Sequence, residues 1–287
     1  MSDIDFPLPI VGPGSQPEED DANLDILQLP DEMATFRMPE LPEVEDLTAL
    51  QPALLRLDRL QSRLDDAARD QHAGPASIDL SDLDADNRAL IDQMLGEGEV
   101  SAMYTGAMPA RIQESVLAGV WRVCYLDPQG RPVRDFIEVA PVPGLLTQHS
   151  FDAARDQVVL DAAHIPEGVL NAPPLFAEIN DKIAAWRSGS PAHVINLTLL
   201  PQTEADLAFL AERLGQGTVT ILSRGYGNCR ISSTATRHVW WVQYFNSQDA
   251  NILNTLEIGG VPAVAQAAPE DLADSAERLR EILEIYR

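Results

Sequence analysis

The chain has 287 residues, 45 of them acidic and 20 basic, and its formal net charge at pH 7 is −25. Such an acidic surface repels phosphate backbones and anionic membranes, which excludes nucleic acid and membrane surfaces as expected partners. The two cysteines, Cys124 and Cys229, cannot build a disulfide framework or an all-cysteine metal site, and the five histidines are scattered. We therefore expect no cofactor and a reducing, cytoplasmic setting.

Residues 1–48 are rich in proline and acidic residues and contain a single basic residue, Arg37. Such a segment buries too little apolar surface to offset its ordering entropy, so we predict a disordered acidic tail. Two short apolar islands, 24–29 and 33–41, are either docking segments or parts of a solubilising tail. The start of the chain lacks the positive charge of a signal peptide, and no apolar stretch approaches the roughly 20 residues that span a bilayer.

Leucines at helical spacing predict a helix over residues 49–71, which ends before Gly74-Pro75. The next predicted elements are a short strand at 77–80, a helix from Asp84 or Asp86 to Leu95, and strands at 100–104, 111–115, 120–126 and 133–139. A connector with little helix follows at 144–169. The same order of elements then begins again and runs to a last helix at 269–286.

The chain matches itself when it is shifted by 119 residues. Fifteen of the 50 positions in 94–143 are identical in the two copies, well above chance. The shared residues include the Leu-Gly-x-Gly step that begins at Leu95 and Leu214, and the strand face around Trp121 and Trp240. We conclude that the chain contains an internal duplication.

Residues that both copies retain are expected to serve the fold. The glycines of the Leu-Gly-x-Gly step are expected to end a helix and to turn the chain sharply into a strand, because glycine readily adopts a positive φ. The strands that contain the tryptophans are expected to form a buried sheet face. Two shared pairs, Arg111 with Glu138 and Arg230 with Glu257, are predicted to form one ion pair in each copy.

Residues that differ between the copies are better candidates for specialised work. Where the first copy has 107–110, Arg122 and Leu126, the second has a Tyr-Gly-Asn-Cys turn and two extra aromatic residues. We therefore predict these partner-binding residues: Tyr226, Gly227, Asn228, Cys229, Arg230, Trp241 and Phe245. A local basic spot is expected from three arginine residues in the same segment: Arg224, Arg230 and Arg237.

Two of these features have alternative interpretations. Cys229 is either a reactive thiol or a small residue packed in a turn. Trp241 and Phe245 lie on one strand face and form an exposed apolar patch unless a helix covers them. No acidic pair stands in a context that suggests acid–base chemistry, and we predict no catalytic residue and no metal ligand.

The expected fold class is α+β, with two homologous tandem lobes, each an antiparallel sheet with helices packed on one face. The predicted regions are the tail at 1–48, a first repeat lobe at 49–143, a connector at 144–169 and a second repeat lobe at 170–287. Parallel pairing of the first short strand stays open, as does the relative orientation of the lobes.

The segment GYGNCRISSTATRHVWWVQYFNSQDANILNTLEIGGVP, at 225–262, resembles the HupH/HyaF family of hydrogenase expression and formation proteins. The stretch IQESVLAGVWRVCYLDPQGRPVRDFIEV resembles the matching first copy in that family, and the resemblance extends over roughly residues 50–287. It implies a non-enzymatic accessory protein for an uptake [NiFe] hydrogenase, and it transfers no catalytic residue.

The resemblance further implies a partner, the precursor of the iron–sulfur small subunit, which is bound before twin-arginine export. Other hydrogenase maturation proteins are possible partners as well. An alternative is a thiol-dependent redox or cluster-handling role for Cys229 in hydrogenase assembly. A third interpretation is a structural scaffold that joins other maturation factors.

Overall fold

A computed structural model describes residues 48–70, 76–161, 164–225 and 227–284. The predicted disordered tail therefore lies outside the described residues, apart from Thr48. The strands in the described residues are β1 Ala76–Asp79, β2 Val100–Tyr104, β3 Ala110–Glu114, β4 Val120–Leu126, β5 Pro132–Val139, β6 His193–Asn196, β7 Gln216–Ser223, β8 Asn228–Thr234, β9 Val239–Phe245 and β10 Asn251–Ile258. The α-helices are α1 Gln51–Arg69, α2 Ala85–Leu95, α3 Gly144–His149, α4 Ala172–Ala185, α5 Glu204–Leu214 and α6 Pro269–Glu284.

The predicted elements of the first copy agree with these bounds to within two residues, because their signals are local. The side chain of Asp84 accepts a hydrogen bond from the backbone N–H of Asn87 at 2.9 Å and caps α2. Gly96 and Gly215 end α2 and α5 with φ values of +55° and +69°, as the shared Leu-Gly-x-Gly step predicts.

All ten strands belong to one sheet in the order β1-β5-β4-β3-β2-β7-β8-β9-β10-β6, and every neighbouring pair is antiparallel. The α+β class and the antiparallel pairing are as predicted, and β1 pairs antiparallel with β5. The expectation of a separate sheet in each lobe is wrong. The edge strands β2 and β7 pair with each other, which satisfies backbone groups that two separate sheets would leave exposed.

The strand order is symmetric about this central pair. Ala102 on β2 pairs with Ile221 on β7, which is its own counterpart in the repeat. The copies are therefore related by an approximate two-fold axis perpendicular to the sheet, and equivalent residues point to the same face. Trp121 and Trp240, for example, share one core cluster on one face.

The helices predicted for the two lobes pack on one face of this sheet. There, α1, α2 and α6 form a core with the strands of the first copy, and α4 and α5 form a core with those of the second. The opposite face has a third core, which includes Leu145 and Leu146 of α3 and Ala265 of the 3-10 helix Ala263–Ala265. The prediction of helices on one face only is thus incomplete.

The end of each copy packs on the other copy. Helix α6 follows the strands of the second copy in sequence, yet Leu272 and Leu279 are buried against the first copy's helices. The segment after α3 behaves in the same way: Val158 is buried in the core of the second copy, and Leu160 packs beside it. This reciprocal exchange ties the copies together beyond their shared sheet.

The predicted ion pairs do not form, because their members point to opposite faces of the sheet. Arg111 lies opposite Cys124, whereas Glu138 lies opposite Trp121, and adjacent residues of β4 point in opposite directions. Glu138 instead accepts a hydrogen bond from the backbone N–H of Gly144 at 2.7 Å. The same register separates Arg230 from Glu257 in the second copy.

Candidate functional site

The turn that sequence comparison selected connects β7 to β8 at one end of the sheet. Gly227 and Asn228 are exposed, and Gly227 has φ +104°, which a side chain would disfavour. Gly225 and Gly227 form a bridge across the turn. Tyr226 lies outside the described residues.

Arg230 and Phe245 lie just behind this turn on one face of the sheet. The guanidinium carbon of Arg230 is 5.5 Å from the centre of the Phe245 ring, within cation–π distance, and both residues are partly exposed. Together with Gly227 and Asn228 they form what we call the hairpin-end surface. The first copy has Arg111 and Leu126 at the positions of Arg230 and Phe245, so it lacks this cation–π pair.

Cys229 points to the opposite face from Arg230 and does not belong to this surface. It is only 2 % exposed and packs in the third core. Burial raises the pKa of its thiol to about 12, against the effect of a hydrogen bond with Tyr244. The thiol is therefore protonated and shielded near neutral pH, which makes it a poor nucleophile or metal ligand.

Trp241 is also buried, at 5 % exposure, under the α4–α5 side of the sheet. Its indole N–H donates a hydrogen bond to Oδ1 of Asn254 at 2.5 Å. The equivalent positions in the first copy are Arg122 and Asp135, which form a salt bridge, with 2.5 Å between Nε and Oδ1. The exposed apolar patch expected from Trp241 and Phe245 is therefore absent from the described structure, because helices cover Trp241.

The predicted basic spot is also divided. Arg224 precedes β8, whereas Arg237 follows it at the other end of the strand and forms a salt bridge with Asp156 at 3.1 Å. Only Arg224 and Arg230 remain near the hairpin-end surface.

Sequence reasoning missed an aromatic cleft at the opposite end of the second copy. Its cavity volume is about 280 Å³, and Phe151, Trp186, His238 and Trp240 form its walls. The ring centres of Trp186 and His238 are 4.2 Å apart, and those of Phe151 and Trp240 are 5.1 Å apart in an edge-to-face arrangement. The available signal was the repeat itself, since His238 replaces Gly119 of the first copy.

In the part of the chain that the structure describes, no group of three or more histidine, cysteine, aspartate or glutamate residues is arranged to hold a metal ion. Within the same residues, no helix combines the length and the apolar character needed to cross a membrane.

Comparison with known proteins identifies the family. The model described as "HupH hydrogenase expression protein, C-terminal conserved region" matches twice, over residues 50–163 and 169–286. The chain is 52 % identical over 285 residues to the hydrogenase expression/formation protein HupH of Rhodobacter capsulatus, with 98 % of each chain covered. It is 50 % identical over 283 residues to HoxQ of Cupriavidus necator, with 97 % of each chain covered.

A more distant relative is the hydrogenase-1 operon protein HyaF of Escherichia coli, 34 % identical over 289 residues, with 98 % of this chain and 96 % of HyaF covered. A solved structure of the hydrogenase expression protein HupH from Thiobacillus denitrificans is 31 % identical, with a TM-score of 0.37, and covers 40 % of this chain and 95 % of its own. The protein is therefore a hydrogenase maturation accessory protein. It belongs to the HupH/HoxQ/HyaF family of hydrogenase expression/formation proteins.

Proposed function

We propose that this protein binds the precursor of the iron–sulfur small subunit of an uptake [NiFe] hydrogenase and holds it during maturation, before twin-arginine export. Family membership over nearly the whole chain supports a role in hydrogenase formation. The observation that carries the binding role is the hairpin-end surface, where the Arg230–Phe245 cation–π pair lies beside an exposed turn and has no equivalent at this place in the first copy. Binding would take place in the cytoplasm, where the precursor is made. Other hydrogenase maturation proteins are further candidate partners.

The chemistry of the hairpin-end surface suits a protein partner. Arginine and an aromatic ring side by side are typical of residues that dominate binding energy at interfaces. The pair is partly exposed, so a partner would bury the remaining ring area and complete its desolvation. The net charge of −25 adds long-range attraction to a basic segment, such as a twin-arginine signal.

The proposed contact residues are Tyr226, Gly227, Asn228, Arg230 and Phe245. Cys229 and Trp241, which are buried behind them, would act by holding β8 and β9 in place. The alternative role of Cys229 as a redox or metal-handling thiolate has weaker support, because burial raises the pKa of its thiol to about 12.

The test is co-purification of a tagged precursor small subunit with this protein, with the dissociation constant measured by calorimetry. Phe245→Leu and Arg230→Gln remove the cation–π pair, and the first of these installs the residue that the first copy uses at Leu126. We expect each to weaken binding by about 10-fold, a loss of about 1.4 kcal/mol.

The matched control is Arg111→Gln, the equivalent change in the first copy, which we expect to leave binding unchanged. Failure of the wild-type protein to capture the precursor would reject the proposed function. Capture that is equally strong in the Arg230, Phe245 and Arg111 variants would reject the hairpin-end surface as the contact.

A further inference from the structure

Two residues that line the aromatic cleft of the second copy have buried hydrogen-bond donors without an acceptor. The indole N–H groups of Trp186 and Trp240 have no hydrogen-bond partner, although both nitrogen atoms are buried. Both residues line the cleft. A buried donor left unpaired costs its full desolvation, so folded proteins satisfy nearly all of them. Two unpaired donors in the walls of one cleft are therefore unusual.

The first copy shows how the same donor is normally satisfied. Trp121 is the counterpart of Trp240, and its indole N–H donates to the backbone carbonyl of Ala140 at 2.8 Å. Ala140 corresponds to Gly259, which lines the cleft in the second copy, but Trp240 makes no such bond. The two tryptophans are equally buried, at 1 % exposure. The second copy thus keeps the donor but does not form the internal hydrogen bond.

Trp186 and His238 are additions of the second copy. The first copy has Ala67 and Gly119 at the equivalent positions. Gly119 adopts φ +78°, and His238 adopts φ +64° at the same point of the same turn. A left-handed backbone suits glycine and strains most other residues, and strain of this kind persists mainly at functional sites. The fold needs no side chain at this position, because the first copy makes the turn without one.

The first copy closes the equivalent turn differently. Helix α6 places Leu272 against Gly119, so that a Cβ atom on Gly119 would lie 2.3 Å from Cδ2 of Leu272. In the second copy the His238 ring packs against Trp186, with ring centres 4.2 Å apart and ring planes tilted by 41°. The helix is replaced there by the segment around Phe151, which leaves a cavity of about 280 Å³.

We propose that the aromatic cleft binds an extended, proline-containing segment of a partner protein, with a backbone carbonyl of that segment accepting the indole N–H of Trp240. The first copy provides the chemical precedent, because a backbone carbonyl is what Trp121 binds there. An extended polyproline-type segment has no internal hydrogen bonds, so its carbonyls are free to accept. Its flat pyrrolidine rings pack against aromatic side chains, which is how several domains recognise such peptides.

The size and charge of the cleft agree with this ligand class. A cavity volume of about 280 Å³ lies just below the range of about 300–1,000 Å³ for small-molecule sites, so it suits a short piece of chain. The charged residues that line it, Asp152 and Arg237, have opposite signs and favour neither an acidic nor a basic ligand. Burial and the neighbouring Arg237 lower the pKa of His238, so its ring is neutral at pH 7 and adds no charge.

The four tryptophans of the chain allow a test with an internal control. In protein labelled with ¹⁵N-tryptophan, NMR resolves one indole signal for each of Trp121, Trp186, Trp240 and Trp241, and Trp→Phe variants assign them. The probe is the blocked peptide acetyl-Leu-Pro-Leu-Pro-amide. We expect it to shift the Trp186 and Trp240 signals downfield and to leave those of Trp121 and Trp241, which already have acceptors, in place.

Two variants restore the first copy's residues in the cleft, His238→Gly and Trp186→Ala. Each is expected to weaken peptide binding at least 10-fold while the Trp121 signal stays unchanged, which reports an intact fold. The control His193→Gln alters a histidine elsewhere in the second copy and should bind like the wild type. A peptide that shifts no tryptophan signal, or that shifts Trp121 as strongly as Trp240, overturns the proposal. Equal binding of acetyl-Leu-Ala-Leu-Ala-amide overturns the proline preference.

This inference does not depend on the proposed partner of the hairpin-end surface. The cleft and that surface lie at opposite ends of β9, and peptide binding is measured without any hydrogenase subunit. Loss of precursor capture with intact peptide binding would reject the proposed function alone. Precursor capture by wild type and by His238→Gly, with no peptide binding in either, would reject the cleft alone.

Discussion

The two copies of the repeat use the same strands in the same order and differ mainly in how their ends are closed. In the first copy, α6 covers the turn at Gly119, and the N–H of Trp121 is satisfied internally. In the second copy, the turn carries His238, the N–H of Trp240 is unpaired, and the hairpin at the other end carries the Arg230–Phe245 cation–π pair. Helix α6 thus closes this turn of the first copy, whereas the second copy has unusual side chains at both ends of its central strands. We infer that binding belongs to the second copy.

The sharpest contrast between the copies concerns their cysteines. Cys229 is buried with a thiol pKa of about 12, whereas Cys124 lies partly exposed on the other copy. Because the pKa of the Cys229 thiol lies about three units above the ordinary value of 9.0, the thiolate fraction of Cys229 at neutral pH is about 1,000-fold smaller than that of an unperturbed cysteine. Alkylation at pH 7.5, followed by mass spectrometry, should modify Cys229 at least that much more slowly in the folded protein than in urea. Fast native modification of Cys229 would restore the thiol-dependent alternative.

The exchanged ends of the two copies provide a matched pair of leucines. Leu279 on α6 is fully buried in the core of the first copy, and its counterpart Leu160 is only partly buried in that of the second. We expect Leu279→Ala to lower the free energy of unfolding by about 2–5 kcal/mol and Leu160→Ala by about 1 kcal/mol. Urea denaturation measures both. Equal losses would show that the two ends seal their cores equally.

A buried carboxyl of the first copy should make stability depend on pH. Burial raises the pKa of Glu114 to about 7 from 4.5, with smaller contributions from Glu99 and Asp271, and a hydrogen bond from Gly119 opposes the rise. The folded state therefore favours the protonated carboxyl. The cost of ionising it is absent below pH 4.5, grows between pH 4.5 and 7, and is complete above pH 7.

Glu114→Gln removes this cost, and the second copy has Ser233 at the equivalent position, so the fold does not require the charge. We expect the variant to be about 2–3 kcal/mol more stable than wild type at pH 8 and equally stable near pH 4. Urea melts at both pH values provide the comparison. A stabilisation that is the same at both pH values would contradict the assigned titration.

The smallest expected effect is at the strained turn of the second copy. His238 has φ +64°, and alanine cannot adopt such a left-handed backbone without strain. The His238→Gly variant should therefore be more stable than His238→Ala by about 1 kcal/mol. At His193, in strand β6, the order should reverse, since glycine weakens a strand. Thermal unfolding of the four variants provides the measurement. Equal stability of the His238→Ala and His238→Gly variants would mean that the backbone at residue 238 is not strained.

Much of the fold could be predicted from the sequence, because its signals are local. Alternating strands, glycine turns and helical leucines lie within a few residues of one another, and the repeat made each signal appear twice. The candidate site was predicted less well. Cys229 and Trp241 differ between the copies but are buried, and a strand pattern does not show which face a helix will cover. The comparison of copies did select Arg230 and Phe245, which lie side by side at the surface.

The sequence by itself determined the duplication, the antiparallel α+β class and the family, since each rests on residues close together in the chain or repeated at a constant shift. Only the tertiary structure decided that β2 and β7 join the copies into one sheet, because backbone hydrogen bonds between edge strands have no side-chain signature. It also decided that α6 closes the first copy and that Trp186 meets His238 and Trp240 in one cleft. Such contacts join residues that lie far apart in the chain. They form because each copy has apolar surface that it cannot bury alone and that becomes buried against the other copy.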